Sequence, residues 1–67
     1  MPCNIIHKAA VEQDIGVLKF VISEYRALIN DEDSNGYSPL GLAIKEEKYF
    51  SAKTLIFSGA NVNAVYI

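Results

Sequence analysis

Asp31-x-Asp33-x-Asn35-Gly36 sets side-chain oxygens on alternate residues ahead of a glycine bend, the opening half of a loop that wraps calcium. Such a loop ends on a glutamate that grips the ion with both oxygens. Leu42 stands at that place, and Pro39 starts a helix too early, so the segment reads as a plain turn. Cys3 and His7 are spaced to share one helix face. A structural zinc site needs a full tetrahedral ligand set, and a Cys–His nucleophile needs an orienting third group and an oxyanion hole; neither completion is visible. Tyr37 and Ser38 have no paired base, glycine-rich phosphate loop or carboxylate pair to accompany them. The chain is therefore read as a non-enzyme with no metal and no cofactor.

The bulk numbers point the same way. A chain of 67 residues holds one small domain, which leaves much of its surface exposed and its stability margin thin. Its 51% hydrophobic and 21% charged content is that of a folding chain and not a disordered one. Six Lys and Arg residues are scattered among eight acids, for a net charge of −2, so no basic patch awaits a polyanion. A DNA-reading helix would need cationic or amide side chains, and the segment 49–58 offers only Lys53; nucleic acid is not an expected partner. Apolar runs such as Phe20-Val21-Ile22 fall far short of the roughly 20 residues of a membrane span. Met1-Pro2-Cys3-Asn4 lacks the basic and apolar regions of a signal peptide, and one cysteine closes no internal disulfide. A soluble, cytoplasmic protein is expected.

The elements emerge from an internal offset. Ile6, Ala9, Ala10 and Leu18 fall on Leu40, Ala43, Ile44 and Ala52 after a shift of 34 residues, and Phe20–Ser23 falls on Thr54–Phe57. Asn30 falls on Asn63 after 33, which leaves one extra residue in the first closing loop. Ser38 can cap a helix that Pro39 begins and that runs to about Glu46, with Leu40, Ala43 and Ile44 facing inward. A second helix from about Tyr49 to Ser58 turns Ala52, Leu55 and Ile56 inward and is stopped by Gly59. In the first half, Asn4 is a candidate cap for a helix from Ile5 to about Gln13, and another runs from about Ile15 to Tyr25. Between the halves, the segment from Ile29 to Tyr37 carries turn chemistry: short polar side chains, and Gly36 for positive φ.

The span from Asp33 to Ala64 resembles an ankyrin repeat. Asp33, Gly36, Ser38-Pro39-Leu40, Ala43, Leu55, Gly59-Ala60, Val62 and Asn63 stand on its signature positions. The first half is similar at Ile6, His7, Ala9-Ala10, Leu18-Lys19 and Val21-Ile22, but Tyr25-Arg26-Ala27-Leu28 replaces the usual Gly-Ala closing turn. In the second half Gly41 replaces the customary histidine, which implies a weaker first helix, and Glu47 replaces the inter-helix glycine, which implies a tilted turn. The resemblance implies an all-α fold of ankyrin-type helix-turn-helix repeats joined by a β-hairpin-like finger. One domain, 1–67, then holds a first repeat at about 4–32 and a second at about 33–64, with 65–67 the start of a further hairpin or a tail. It also implies that His7 hydrogen-bonds backbone between the repeats.

The resemblance further implies a protein–protein interaction module, an adaptor or regulatory scaffold, whose partner meets the finger and the exposed side of the first helices. Mapped here, that surface is Ser34, Asn35, Tyr37, Lys45 and Glu46, with Val11 and Glu12 from the first repeat. Tyr37 is the expected anchor, since tyrosine combines a large apolar body with a hydroxyl and few torsions. Phe50 and Phe57 lie seven apart on one helix side where the family more often carries polar residues. They either pad the edge of the core or form an apolar contact strip. The second expectation is self-association, with Phe50, Phe57 and Tyr66 on an end face that stacks on another copy or on further repeats of a longer array.

Overall fold

The computed structural model describes residues 5–62. Two helical hairpins form: α1 (Ile5–Glu12) and α2 (Ile15–Glu24), then α3 (Pro39–Lys45) and α4 (Tyr49–Phe57), with a short 3-10 turn at Arg26–Leu28. Helices this short are marginal on their own, so their order derives from packing. α1 packs on α2 and α3, and α4 packs on α3 and α2, so the hairpins stand side by side. The core between them is made of Ile6, Leu18, Val21, Leu40 and Leu55, all buried, and the small side chains of Ala9, Ala10 and Ala43 let the helices approach closely. The architecture is an all-α helical repeat, as the internal offset anticipates.

Local chemistry fixes the helix ends. Ser38 Oγ accepts the Gly41 amide at 3.1 Å, and Pro39 sits at the start of α3. Asp14 caps α2 by accepting the Val17 amide at 3.3 Å. Both first helices end in the same closure: the Asp14 amide donates to Ala9 C=O and the Lys48 amide to Ala43 C=O, while Gln13 and Glu47 take φ of 53° and 61°. The turn at Glu47 is therefore not tilted away from its counterpart; a glutamate adopts the left-handed conformation that glycine would supply. Gly59 closes α4 in the same way, with φ of 96° and the Ala60 amide donating to Leu55 C=O at 3.0 Å.

Each expected helix ends one residue sooner than the pattern suggests, because Gln13, Tyr25, Glu46 and Ser58 belong to the closing turns. Ile44 and Ile56 are a larger departure: expected inside, they are 39% and 46% exposed. They lie on the side of the second hairpin that points away from the first. At the end of α2 no glycine closes the helix; the 3-10 turn follows, and Arg26 Nη2 donates to Ser58 C=O at 2.6 Å. That bond ties the end of the first hairpin to the negative end of α4. The finger is hairpin-like in its closure, with the Asp33 amide donating to Tyr37 C=O at 2.8 Å, but no strand forms among the described residues. The Asp33 carboxylate takes the amides of Asn35 and Tyr37, both at 2.9 Å, where a ladder would have taken backbone carbonyls.

Candidate partner-binding surface

Asp33 shapes the finger from within. Its Oδ1 accepts two amides, and the Gly36 amide donates to its carbonyl at 3.0 Å with Gly36 at φ of 88°. The alternating-oxygen motif is thus a side-chain-closed turn, and Ser34 and Asn35 stand exposed at its tip. The base of the finger is pinned to the first hairpin, where fully buried His7 donates through Nε2 to the Tyr37 carbonyl at 2.8 Å. His7 therefore holds backbone across the two hairpins, the role its position implied.

With its main chain held at both the amide and the carbonyl, Tyr37 presents a half-buried side chain beside α3. The Lys45 ammonium lies 5.7 Å from the centroid of its ring, within cation–π range. Lys45 Nζ also reaches Glu46 Oε2 at 3.3 Å, and both side chains are about half exposed. An exposed pair of this kind contributes about 0–1 kcal/mol, so it orients the charges more than it stabilises the fold. The structure thus gathers Tyr37, Lys45 and Glu46. Val11, half-buried, and Glu12, exposed, end α1 one register period earlier, at the places matched by Lys45, the last residue of α3, and Glu46, which follows it.

Of the aromatic residues, Phe50 and Phe57 are 73% and 79% exposed, so neither pads the core. The Phe50 amide donates to Gln13 Oε1 at 3.2 Å, which fixes the first turn of α4. Lys53 Nζ stands 5.9 Å from the Phe57 ring centroid. Tyr66, and with it Cys3, Asn4 and the segment 65–67, lies outside the described residues.

A feature missing from the expected site is an apolar groove of about 510 Å³ on the outer side of the second hairpin, lined by Ile44, Tyr49, Ala52, Lys53, Ile56 and Phe57. The offset of 34 residues held the signal for it. Ala10, Leu18 and Ile22 in the first hairpin are buried under the second; of the residues 34 positions on, Ala52 is buried as well, while Ile44 and Ile56 stay exposed among residues 5–62.

Among the described residues no helix is long and apolar enough to cross a membrane. Neither a curated protein nor a solved structure matches the chain. Residues 35–66 match the family model of the ankyrin repeat, a module that generally binds other proteins and is not catalytic.

Proposed function

We propose that this chain is an adaptor or regulatory scaffold of the cytoplasm. In this reading one ankyrin domain, with repeats at about 4–32 and 33–64, offers a partner protein Ser34, Asn35, Tyr37, Lys45 and Glu46, with Val11 and Glu12 extending the surface. The observation that carries it is the pinned Tyr37. Its amide and carbonyl are bonded to Asp33 and His7, and its ring lies beside the Lys45 ammonium. A side chain ordered before binding loses little entropy when a partner arrives, and a tyrosine so held is the kind of anchor that dominates interface energetics. The neighbouring charges act on partner choice more than on affinity.

Because the contacts that pin Tyr37 are made by its backbone, Tyr37→Ala should keep the fold while removing the anchor. The test compares proteins captured by the wild type and by Tyr37→Ala, then measures the affinity of the enriched protein for both. A hot spot of about 2 kcal/mol predicts binding weaker by roughly 30-fold, with an unchanged circular dichroism spectrum. Equal affinity would remove Tyr37 from the site.

A further inference from the structure

The outer groove of the second hairpin has a counterpart at the other end of the molecule. Its lining residues Ile44, Tyr49, Ala52, Lys53, Ile56 and Phe57 lie 34 positions after Ala10, Ile15, Leu18, Lys19, Ile22 and Ser23. In the first hairpin, Ala10, Leu18 and Ile22 are the buried floor on which the second hairpin sits. A second hollow, of about 220 Å³, opens on the far side of the first hairpin and is lined by Ile5, Lys8, Ala9, Glu12, Asp14 and Val17. Moved on by 34, Ile5, Ala9 and Val17 become Pro39, Ala43 and Ser51, all three buried against the first hairpin. The two hollows are therefore the two halves of the junction already built inside the chain, one at each end.

We propose that the occupant of the groove is a second copy of this chain, stacked head to tail, with its outer first-hairpin face seated on the groove. The geometry of the internal junction, carried forward one period, specifies the contacts. Inside the chain, Lys19 lies in a surface hollow with Lys53, Thr54, Phe57 and Ser58. Across the proposed junction Lys53 takes the place of Lys19, and the neighbouring copy presents Lys19, Phe20, Ser23 and Glu24. Lys53 thus shares a hollow with the Glu24 carboxylate where Lys19 shares one with the Ser58 hydroxyl, a lysine of the facing hairpin lining both, and Phe20, 61% exposed in the single chain, gains a cover. Inside the chain, Gln13 Oε1 accepts the Phe50 amide; carried forward, the Glu47 carboxylate faces the Gly16 amide at the start of α2 in the next copy, a charged acceptor in place of a neutral one.

Other bonds of the internal junction have no equivalent. Ser51 Oγ donates to Ala10 C=O at 2.6 Å, but Val17 holds the matching place on the outer face. His7, which reaches the Tyr37 carbonyl, is matched by Gly41, and Arg26, which reaches Ser58, by Ala60. The intermolecular junction keeps apolar contact while losing three hydrogen bonds of the internal one, so the association is reversible. Because the two contacting faces differ, a dimer leaves one face of each kind open, and further copies add head to tail. The surface around Tyr37 takes no part, and Tyr37→Ala leaves the assembly unchanged.

The test is a mass measurement by sedimentation over a concentration series, with two blocking variants. Ile56→Asp closes the groove and Val17→Asp closes the opposite face; both positions are partly exposed, 46% and 40%, and circular dichroism checks that each variant folds. The wild type is expected to rise with concentration from the 7.4 kDa monomer through dimer to larger species. Each variant alone stays monomeric, and their equimolar mixture forms a dimer and nothing larger, because one intact groove meets one intact face. A wild-type mass that stays monomeric up to millimolar protein overturns the proposal without any variant. So does a Val17→Asp chain that still dimerises alone, which would mean groove against groove, and so does association that survives both substitutions.

Discussion

The face that α1 and α2 turn toward the second hairpin and the face that α3 and α4 turn away from the first share one register, yet Ile22 and Ala10 on one are core while Ile56 and Ile44 on the other are surface. Ile22 is 4% exposed and its counterpart Ile56 is 46%; Ala10 is fully buried and its counterpart Ile44 is 39% exposed. The difference does not arise in how the hairpins close, since both inner turns make the same hydrogen bonds. It arises in what lies alongside. In a repeat architecture, burial belongs to the neighbour as much as to the residue.

Truncating the paired isoleucines should separate the two faces most. Ile22→Ala removes packed atoms from a core that cannot fully collapse around the gap and should cost about 2–5 kcal/mol, a large part of the stability of so small a domain. Ile56→Ala, measured in urea at protein concentrations too dilute for self-association, should cost under about 1 kcal/mol. Equal losses would mean that the outer face is already covered in the free chain. Next in size is Ser51→Ala, which takes a buried donor from the Ala10 carbonyl and should cost about 1–3 kcal/mol by urea unfolding. Val17→Ala, at the matching outer place, should cost less than the serine change despite its larger loss of volume. The reverse order would mean that the junction is held by packing alone.

These pairs also show what the sequence could and could not reveal. Ser38, Pro39, Gly36 and Gly59 announce their roles because capping, a fixed φ and a positive φ are properties of one residue and its nearest neighbours. The helices followed from such signals and from the offset. Ile44 and Ile56 misled because apolar spacing marks a face and does not say whether a neighbour covers it. The Arg26 bond to Ser58 joins residues 32 apart and leaves no local trace. At the finger, the resemblance brought Tyr37, Lys45 and Glu46 onto one candidate surface, but the ring lying beside the ammonium follows from how Asp33 and His7 pin the main chain, which no spacing records.

The inner turns give a finer contrast. Gln13 and Glu47 both hold a left-handed conformation that costs an L-residue roughly 1 kcal/mol, but only Gln13 is shown returning something, by accepting the Phe50 amide. Glu47→Gly should therefore stabilise by about 0.5–1 kcal/mol, since glycine relieves the strain and its extra freedom in the unfolded chain offsets part of the gain. Gln13→Gly should be close to neutral, because the same relief is set against a lost acceptor. Thermal midpoints of the two variants, compared at one concentration, check the difference. Equal gains would show that the bond to Phe50 contributes nothing.

The smallest expected effect lies one residue further on, where the second helix of each hairpin begins. Asp14 and Lys48 have nearly the same backbone, φ −82° and ψ 85° against φ −94° and ψ 76°, but Asp14 caps α2 with its carboxylate while Lys48 gives α4 no side-chain cap and puts a cation at the positive end of the helix. Lys48→Asp should let the second hairpin copy the first. A carboxylate there can accept the Ser51 amide as Asp14 accepts that of Val17, for a gain of about 0.5–1 kcal/mol by urea unfolding. Part of the gain is electrostatic, so the advantage of Lys48→Asp over Lys48→Asn should shrink as salt screens the helix end. If neither variant is more stable than the wild type, the matching dihedral angles do not make the two starts equivalent, and the contrast between the hairpins extends from their faces to their caps.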